Sequence, residues 1–198
     1  MTSRPAPFPH ADRPPRAPRR LGLRALARLG LRGLLLAACC GCGLASAQVT
    51  EYDVKAAFVF NFAVFTEWPA EALPGGAPLQ LCAFPGNALH GALAALGDKQ
   101  INGHRVQLRQ PGNGASARAC NVLFLDGQDR DRWHTLRPEL AGASVLTVAD
   151  DRVIGAAGAV LALTVDHARI VFDADLAAAR LARLTISSKL LRLARSVQ

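Results

Sequence analysis

The sequence has no apolar run long enough to cross a bilayer as a helix. The candidates are the 13 residues 33–45 and the 11 uncharged residues 56–66. A membrane-spanning helix needs roughly 20 residues. Neither stretch is therefore predicted to anchor the protein in a membrane.

The motifs of common enzyme classes are also absent. There is no G-x-S-x-G and no G-x-x-x-x-G-K-[ST], and the GAAG at 155–158 lacks the spacing of a dinucleotide-binding loop, so a turn is predicted there. Four histidines stand alone, without a second ligand at i+4; they are His90, His104, His134 and His167. These motifs and spacings therefore predict no catalytic residue, no metal site and no cofactor.

Acidic residues are nearly absent from the N-terminal quarter of the chain. Residues 1–47 hold eight arginines and one aspartate, whereas residues 48–198 hold 15 basic and 14 acidic residues. The Arg-rich segment, the apolar run and the A-x-A pattern that follows it predict a secretory signal peptide, cleaved between Ala47 and Gln48. A second reading takes the Leu-Ala-Ala-Cys that ends at Cys39 as a lipobox, which would make this cysteine a lipidated N-terminus.

Removal of the leader leaves a nearly neutral chain. Without a basic surplus, charge no longer supports binding to nucleic acid. The remaining residues 48–198 are enough for one domain with one core. We therefore predict a signal peptide over 1–47, followed by a single exported domain.

Cysteine is scarce in this predicted mature chain, where only Cys82 and Cys120 remain. A structural disulfide is the favoured interpretation, because exported proteins fold in oxidising compartments. A catalytic thiol pair and a redox-sensitive bond are the alternatives. Cys82 falls on a predicted strand and Cys120 just before another, so adjacent strands could bring the two sulfurs together.

Strand-like and helix-like segments alternate along the rest of the chain. Three runs are apolar on both faces, as expected for central strands of a covered sheet: 79–84, 121–126 and 144–150. A hairpin is predicted across Asp166 and His167. The alternation predicts an α/β fold, a single domain with a mixed, mostly parallel sheet and helices on both faces.

Helices are predicted between these strands and at the C terminus. Their expected positions are 87–96, 129–140, 176–183 and a last helix that begins near Lys189. In this last helix Lys189, Arg192 and Arg195 would share one face. The mixed-charge stretch 126–133 is predicted to be the solvated start of a helix, because its arginines neutralise Asp129 and Asp131.

The stretch Tyr52–Pro69 holds half of the chain's eight phenylalanines. Thr50 and Asp53 resemble a capping box, and we predict a helix over 51–68, ended by Pro69. This helix is apolar on nearly all sides, whereas an ordinary surface helix shows one apolar stripe.

Two interpretations of this helix stay open. It is either plain core, or core on one side and a partner surface on the other. In both cases Asn61 is predicted to need a buried partner. The residues predicted for a possible partner or dimer contact are Phe58, Phe62, Phe65 and Trp68.

Two blocks of the chain carry a specific pattern. The first contains Tyr52, Lys55-Ala56-Ala57-Phe58, Asn61-Phe62, Phe65 and Trp68-Pro69; the last contains 176–180 and 186–194. Between them lie Leu81-Cys82, Ile101-Asn102-Gly103, and Cys120 before the apolar run 122–125. In this order, and over essentially the whole predicted mature chain, these blocks resemble the YfiR family of bacterial periplasmic regulators.

The resemblance implies a periplasmic α/β protein without enzymatic activity. Such proteins bind and restrain an inner-membrane diguanylate cyclase through its periplasmic sensor part, and so control cyclic di-GMP, biofilm formation and motility. An OmpA-like outer-membrane lipoprotein can sequester them, they can dimerise, and cysteine oxidation affects their stability and activity. The alternatives are a periplasmic domain that binds or senses a small ligand for a kinase or transporter, and a thiol oxidoreductase.

Overall fold

Strands and helices alternate through residues 50–198, the part of the chain that the computed structural model describes. The helices are α1 Glu51–Val64, α2 His90–Ala94, α3 Gly114–Ala117, α4 Arg130–Glu139, α5 Arg152–Ala156, α6 Leu176–Leu181 and α7 Ser188–Leu191. The strands are β1 Thr66–Glu67, β2 Leu79–Ala83, β3 Gln100–Ile101, β4 His104–Arg109, β5 Val122–Leu125, β6 Leu146–Ala149, β7 Leu161–Asp166, β8 Arg169–Ala174, β9 Thr185–Ile186 and β10 Ser196–Val197.

Eight of these strands form the central sheet, in the order β10-β8-β7-β6-β5-β2-β4-β3. The pairs β7–β8 and β3–β4 are antiparallel, and every other neighbouring pair in this sheet is parallel. The predicted fold class, a single α/β domain with a mixed and mostly parallel sheet, is confirmed. The predicted hairpin is also present, with His167 and Ala168 at its turn, both with positive φ.

Helices cover the sheet on both faces because its central strands are apolar on both sides. Along β5, Val122 and Phe124 belong to one core cluster, while Leu123 and Leu125 belong to a second. We call these the α1 face, which contains Phe62 of α1, and the α4 face, which contains Trp133 of α4. Successive strand residues alternate between the two faces.

The helix α1 is shorter than predicted. Thr50 caps it as expected, since its side chain accepts from the backbone N–H of Asp53. The helix ends at Val64 rather than near Trp68, because the next residues pair with another strand. Thr66 lies opposite Ile186 in the antiparallel pair β1–β9, and its hydroxyl donates to the carbonyl of Phe62 at 2.7 Å.

The predicted C-terminal helix is also too long. Helix α7 ends at Leu191, and the backbone N–H of Arg195 donates to the carbonyl of Phe172 at 2.8 Å. The chain then continues as β10, parallel to β8. Lys189, Arg192 and Arg195 therefore do not share a helical face, and Arg195 instead pairs with Asp173.

Helix α5 was not predicted, although its capping residue is visible in the sequence. Asp151 accepts from the backbone N–H groups of Val153 and Ile154, both at 3.0 Å. The helix then places Gly155 over Ala162 of β7, where an added Cβ would come within 2.6 Å of the alanine side chain. The predicted turn at 155–158 therefore begins inside this helix. Gly155 serves the contact between helix and strand as well as the turn.

Candidate regulatory surface

Helix α1 is buried on one side and exposed along a narrow ridge on the other. Its buried residues are Lys55, Ala56, Val59, Phe62 and Ala63. The ridge, at i, i+4 and i+8, consists of Asp53, Ala57 and Asn61. We call it the α1 ridge; half-buried Phe58 and Phe60 lie on either side of it. The helix is thus neither wholly core nor an open aromatic surface.

Asn61 does not have the buried partner that was predicted. Its side chain is exposed, and its Nδ2 donates to the carbonyl of Ala57 one turn earlier at 2.9 Å. The prediction failed because an apolar surrounding sequence was taken to mean burial on all sides. Asn61 instead leaves a polar amide at the end of the α1 ridge.

Phe62 is the central ring of an aromatic cluster on the α1 face. Its centroid lies 4.9 Å from that of Phe172 and 5.8 Å from that of Phe58. Phe62 is 0% exposed, so it cannot itself contact a partner unless the helix moves. Phe58 forms the outer, half-buried member of this cluster.

The other two predicted contact residues lie where α1 gives way to β1. The carbonyl of half-buried Phe65 accepts from the backbone N–H of Ser187 at 2.9 Å. Trp68 is also half-buried, and its Nε1 donates to the carbonyl of Asn121 at 3.2 Å. Phe58 and Phe65 thus both pack against the core of the α1 face, and Trp68 is tied to the residue just before β5.

Asn121, which was overlooked in the sequence, connects this region to the sheet. It is 5% exposed, and its Oδ1 accepts from the backbone N–H of Gln80 at 2.8 Å. Its Nδ2 donates to the carbonyl of Ala72 at 3.2 Å. An amide directly after Cys120, at the start of an apolar strand, was the available signal, because a buried amide needs hydrogen-bond partners.

Lys55 is the buried charge beneath the first turns of α1. It is 7% exposed, and its Nζ lies 2.7 Å from Asp150 Oδ2 and 2.7 Å from Glu51 Oε1. Burial works to lower the pKa of Lys55, but its two carboxylate partners outweigh that effect and raise the pKa above its usual value. Burial raises the pKa of Asp150, and the hydrogen bond from Lys55 offsets only part of this. The pair fixes α1 to the end of β6.

The acidic stretch after β5 is more buried than predicted. Asp126 and Asp129 are both buried, and Asp126 accepts from the backbone N–H groups of Ala88 and Gln128, each at 2.9 Å. Burial raises the pKa of Asp129, although its backbone bond to Asp126 and its pairing with Arg132 oppose this. The prediction of a solvated helix start is wrong for these two carboxylates. Asp126 caps the short turn 127–129, and Asp129 accepts from the backbone N–H of Asp126.

The structure contains a disulfide between Cys82 and Cys120, with a Cα–Cα distance of 6.0 Å. Cys82 lies on β2, and Cys120 precedes β5, its parallel neighbour in the sheet. Both cysteines are buried on the α4 face, beside Phe84 and Trp133. The bond closes a sequence separation of 38 residues and joins two strands at the centre of the sheet.

Several predictions concern residues that the structure does not describe. The predicted cleavage site between Ala47 and Gln48, and the alternative lipid attachment at Cys39, lie outside residues 50–198. Within residues 50–198, no helix is long and apolar enough to cross a membrane. In the same range, no three side chains of the His, Cys, Asp and Glu types are grouped so that they could hold a metal ion.

These features define an α/β protein with a partly exposed aromatic helix and a buried interstrand disulfide. A family model described as YfiR/HmsC-like matches residues 52–195. The chain therefore belongs to the YfiR/HmsC-like family, and the resemblance seen in the sequence is confirmed. The family points to a regulatory rather than a catalytic protein, in periplasmic cyclic di-GMP signalling.

A solved structure is also similar in part. It is the crystal structure of a conserved domain protein from Vibrio cholerae O1 biovar eltor, with 13% sequence identity and a TM-score of 0.47. The match covers 75% of this chain and 60% of that one. At this degree of likeness, no property of that protein carries over.

Proposed function

We propose that this protein is a non-enzymatic periplasmic regulator that binds and restrains an inner-membrane diguanylate cyclase. The observation that carries the proposal is the α1 ridge, set between Phe58 and Phe60 in a chain of this family. Aromatic side chains are enriched in protein interfaces, where rigid rings bury much area at little cost in conformational entropy.

The contact that we propose centres on the α1 ridge and its aromatic border. Ala57 is small and exposed, so a partner can approach the helix backbone closely there. Phe58 and Phe65 would supply apolar area beside it, and Asn61 a polar group. Phe62 supports this surface from below through its contact with the ring of Phe58.

The partner that we propose is the periplasmic sensor part of the cyclase. An OmpA-like outer-membrane lipoprotein that sequesters the regulator, and a homodimer, are further proposals from the family. Export through the predicted signal peptide is required by all of them, since each partner is reached from the periplasm.

The first experiment measures intracellular cyclic di-GMP in a strain that lacks the gene. The protein is then restored either with its leader or without residues 1–47. We expect the level to rise on deletion and to fall again only with the exported form. An unchanged level across several growth conditions, or rescue by the form without its leader, would contradict the proposal.

The second experiment tests the surface itself. Ala57→Arg places a long cation on the α1 ridge, and Ala115→Arg makes the same change at an exposed alanine of α3, on the α4 face. We expect the first variant to lose restraint of the cyclase and the second to keep it, with both retaining wild-type thermal stability. Equal restraint of the cyclase by both variants would show that the α1 ridge is not part of the interface.

A second candidate function is a periplasmic domain that senses a small ligand for another protein. The observation that favours it is a cavity of about 540 Å³ between α4 and α6. Ligand sites in proteins fall in this size range and are mostly apolar with a few polar groups. A screen that finds a ligand but no effect on cyclic di-GMP would favour this second function.

A further inference from the structure

A cavity lies between α4 and α6, at the end of the sheet where β6 and β7 begin and β8 ends. Its volume is about 540 Å³, and its walls are the outer side of α4, the loop after it and the inner side of α6. The floor is closed by buried side chains of the second core cluster, including Trp133, Leu140 and Val145. The cavity is therefore a pocket that the protein core closes on one side.

The α6 wall is made of small residues with one large apolar residue at its rim. Ala178 and Ala182 are half-buried and face the cavity, whereas Leu181 is 76% exposed. The side chain of Leu181 stays in contact with water in the folded protein, so an apolar ligand that covers it removes apolar surface from water, which is favourable. The wall thus fits a flat or linear hydrocarbon body.

One cation at the opening lacks a counter-ion. Arg137 of α4 lines the cavity, and within residues 50–198 its guanidinium makes no salt bridge and no hydrogen bond. Its position is set by Gly158, where an added Cβ would lie 3.2 Å from the guanidinium carbon. A side chain at position 158 is disfavoured for two reasons: it would crowd Arg137, and the φ of +92° suits glycine.

The other polar side chains of the cavity are less available. Asp175 also lines it, but its Oδ1 accepts from the backbone N–H of Ala178 at 2.8 Å as the cap of α6. Thr147 Oγ1 accepts from the backbone N–H of Val160 at 2.9 Å. His134 adds an imidazole ring to the lining. Of the two charged side chains, Asp175 keeps its negative charge while it caps α6, and Arg137 is the one without a partner.

We propose that this cavity binds a small amphipathic anion, a molecule with an apolar body and a single carboxylate that pairs with Arg137. An arginine fork matches a carboxylate in geometry and binds it through two parallel N–H···O bonds. The apolar body would lie against Ala178, Leu181 and the buried floor. No residue of α1 lines the cavity, so the proposal stands whether or not α1 contacts a cyclase.

The test titrates the purified protein with three probes that share one tail and differ in the head group. These are octanoate and octylammonium, each below its micellar concentration, and octanol below its solubility limit, with heat as the readout. We expect octanoate to bind at least tenfold more tightly than octylammonium. Equal affinity for the three probes, preference for the cation, or no binding at millimolar concentration would overturn the proposal.

Two arginine variants then test whether the charge of Arg137, and not the cavity alone, determines the affinity for octanoate. Arg137→Gln should weaken octanoate about tenfold and leave octanol unchanged, whereas Arg169→Gln should change neither. Arg169 is a matched control because it is an exposed arginine on β8 without an ion-pair partner among residues 50–198. Equal loss of octanoate in both variants would show a nonspecific charge effect and refute the assignment to Arg137.

Filling the cavity gives an independent check of location. Ala178→Phe should abolish binding of octanoate and octanol together. If that variant fails to fold, Leu181→Glu at the exposed rim replaces it and should weaken octanoate through repulsion. Unchanged octanoate binding in a folded variant would place the site elsewhere. A shift in sedimentation of either variant relative to the parent protein would assign the cavity to a second copy of the chain and overturn the small-molecule proposal.

Discussion

The α1 face and the α4 face of the sheet are covered by different means. On the α1 face, Phe62, Phe124 and Phe172 lie in one cluster, beneath a helix that a buried Lys55–Asp150 pair fixes in place. On the α4 face the cover is made of three helices, α3, α4 and α5, which contribute Ala117, Trp133 and Ile154, and a disulfide joins the strands below them.

The difference shows two ways to stabilise one sheet. Large rings stabilise the α1 face through the apolar area they remove from water, so this face depends on the volume of its side chains. The α4 face has rings as well, Phe84 and Trp133, but it adds a covalent constraint on the unfolded chain.

The sharpest challenge to this comparison is Phe62→Ala. We expect a loss of about 3–5 kcal/mol in the free energy of unfolding, because a fully buried ring leaves a cavity that the structure only partly refills. Urea unfolding at neutral pH measures it. Phe58→Ala is the matched control and should cost less, since that ring is half exposed. A loss below about 1 kcal/mol for Phe62→Ala would contradict its placement in the core.

The next effect is expected on the α4 face, from the double variant Cys82→Ala/Cys120→Ala. Loop-closure entropy for a separation of 38 residues gives a loss of about 4 kcal/mol at most. Urea unfolding of the variant and of the wild type with reductant should agree. Two free thiols in the untreated, denatured wild type would show that the bond does not form in the protein as isolated.

The ion pair under α1 should contribute less than the ring or the disulfide. We expect Lys55→Met to cost about 2 kcal/mol at neutral pH, below the 3–5 kcal/mol of a fully buried pair, because Asp150 is partly exposed. The variant leaves a buried carboxylate without its partner. Thermal unfolding as a function of pH measures both the loss and its reversal.

The pH dependence of this variant has a definite sign. The pKa of Asp150 is already raised by burial, and the loss of Lys55 raises it further, so the folded state holds the proton more tightly than the unfolded state. Stability must then rise as the pH falls through the folded pKa towards the ordinary value near 4. The double variant Lys55→Met/Asp150→Asn should lack this rise. A flat profile in the single variant would contradict the pairing.

The smallest expected effect is at the N-terminal cap of α1. Thr50→Ala removes the acceptor for the backbone N–H of Asp53 and should cost about 1 kcal/mol. Thr50→Ser is the control and should be near neutral, because it keeps the hydroxyl. Equal losses in the two variants would show that the methyl group, and not the cap, carries the contribution.

Local signals in the sequence were read correctly where one short segment decides the outcome. The capping box at Thr50 and the hairpin across Asp166 and His167 depend on residues only a few positions apart. The apolar runs predicted the central strands for the same reason, because a strand covered on both faces needs apolar side chains on both.

The errors lie where a distant segment competes with local propensity. Helix α1 stops at Val64 because Thr66 pairs with Ile186, far along the chain. Helix α7 stops at Leu191 because the chain returns to lie beside β8. Neither helical pattern predicts where its helix ends. The spacing of apolar side chains indicates a helix, but it does not show that backbone groups farther along will pair with a distant strand.

The candidate surfaces show the same division. The sequence by itself determined that α1 would be rich in aromatic residues and that Cys82 and Cys120 are the only cysteines beyond residue 47, because these are matters of composition and order. Only the tertiary structure decided that Phe62 is core while Phe58 borders a ridge, that Asn121 joins Trp68 to the sheet, and that Arg137 stands unpaired above an apolar pocket. Those outcomes depend on which segments pack together, and packing between distant segments is set by the whole fold.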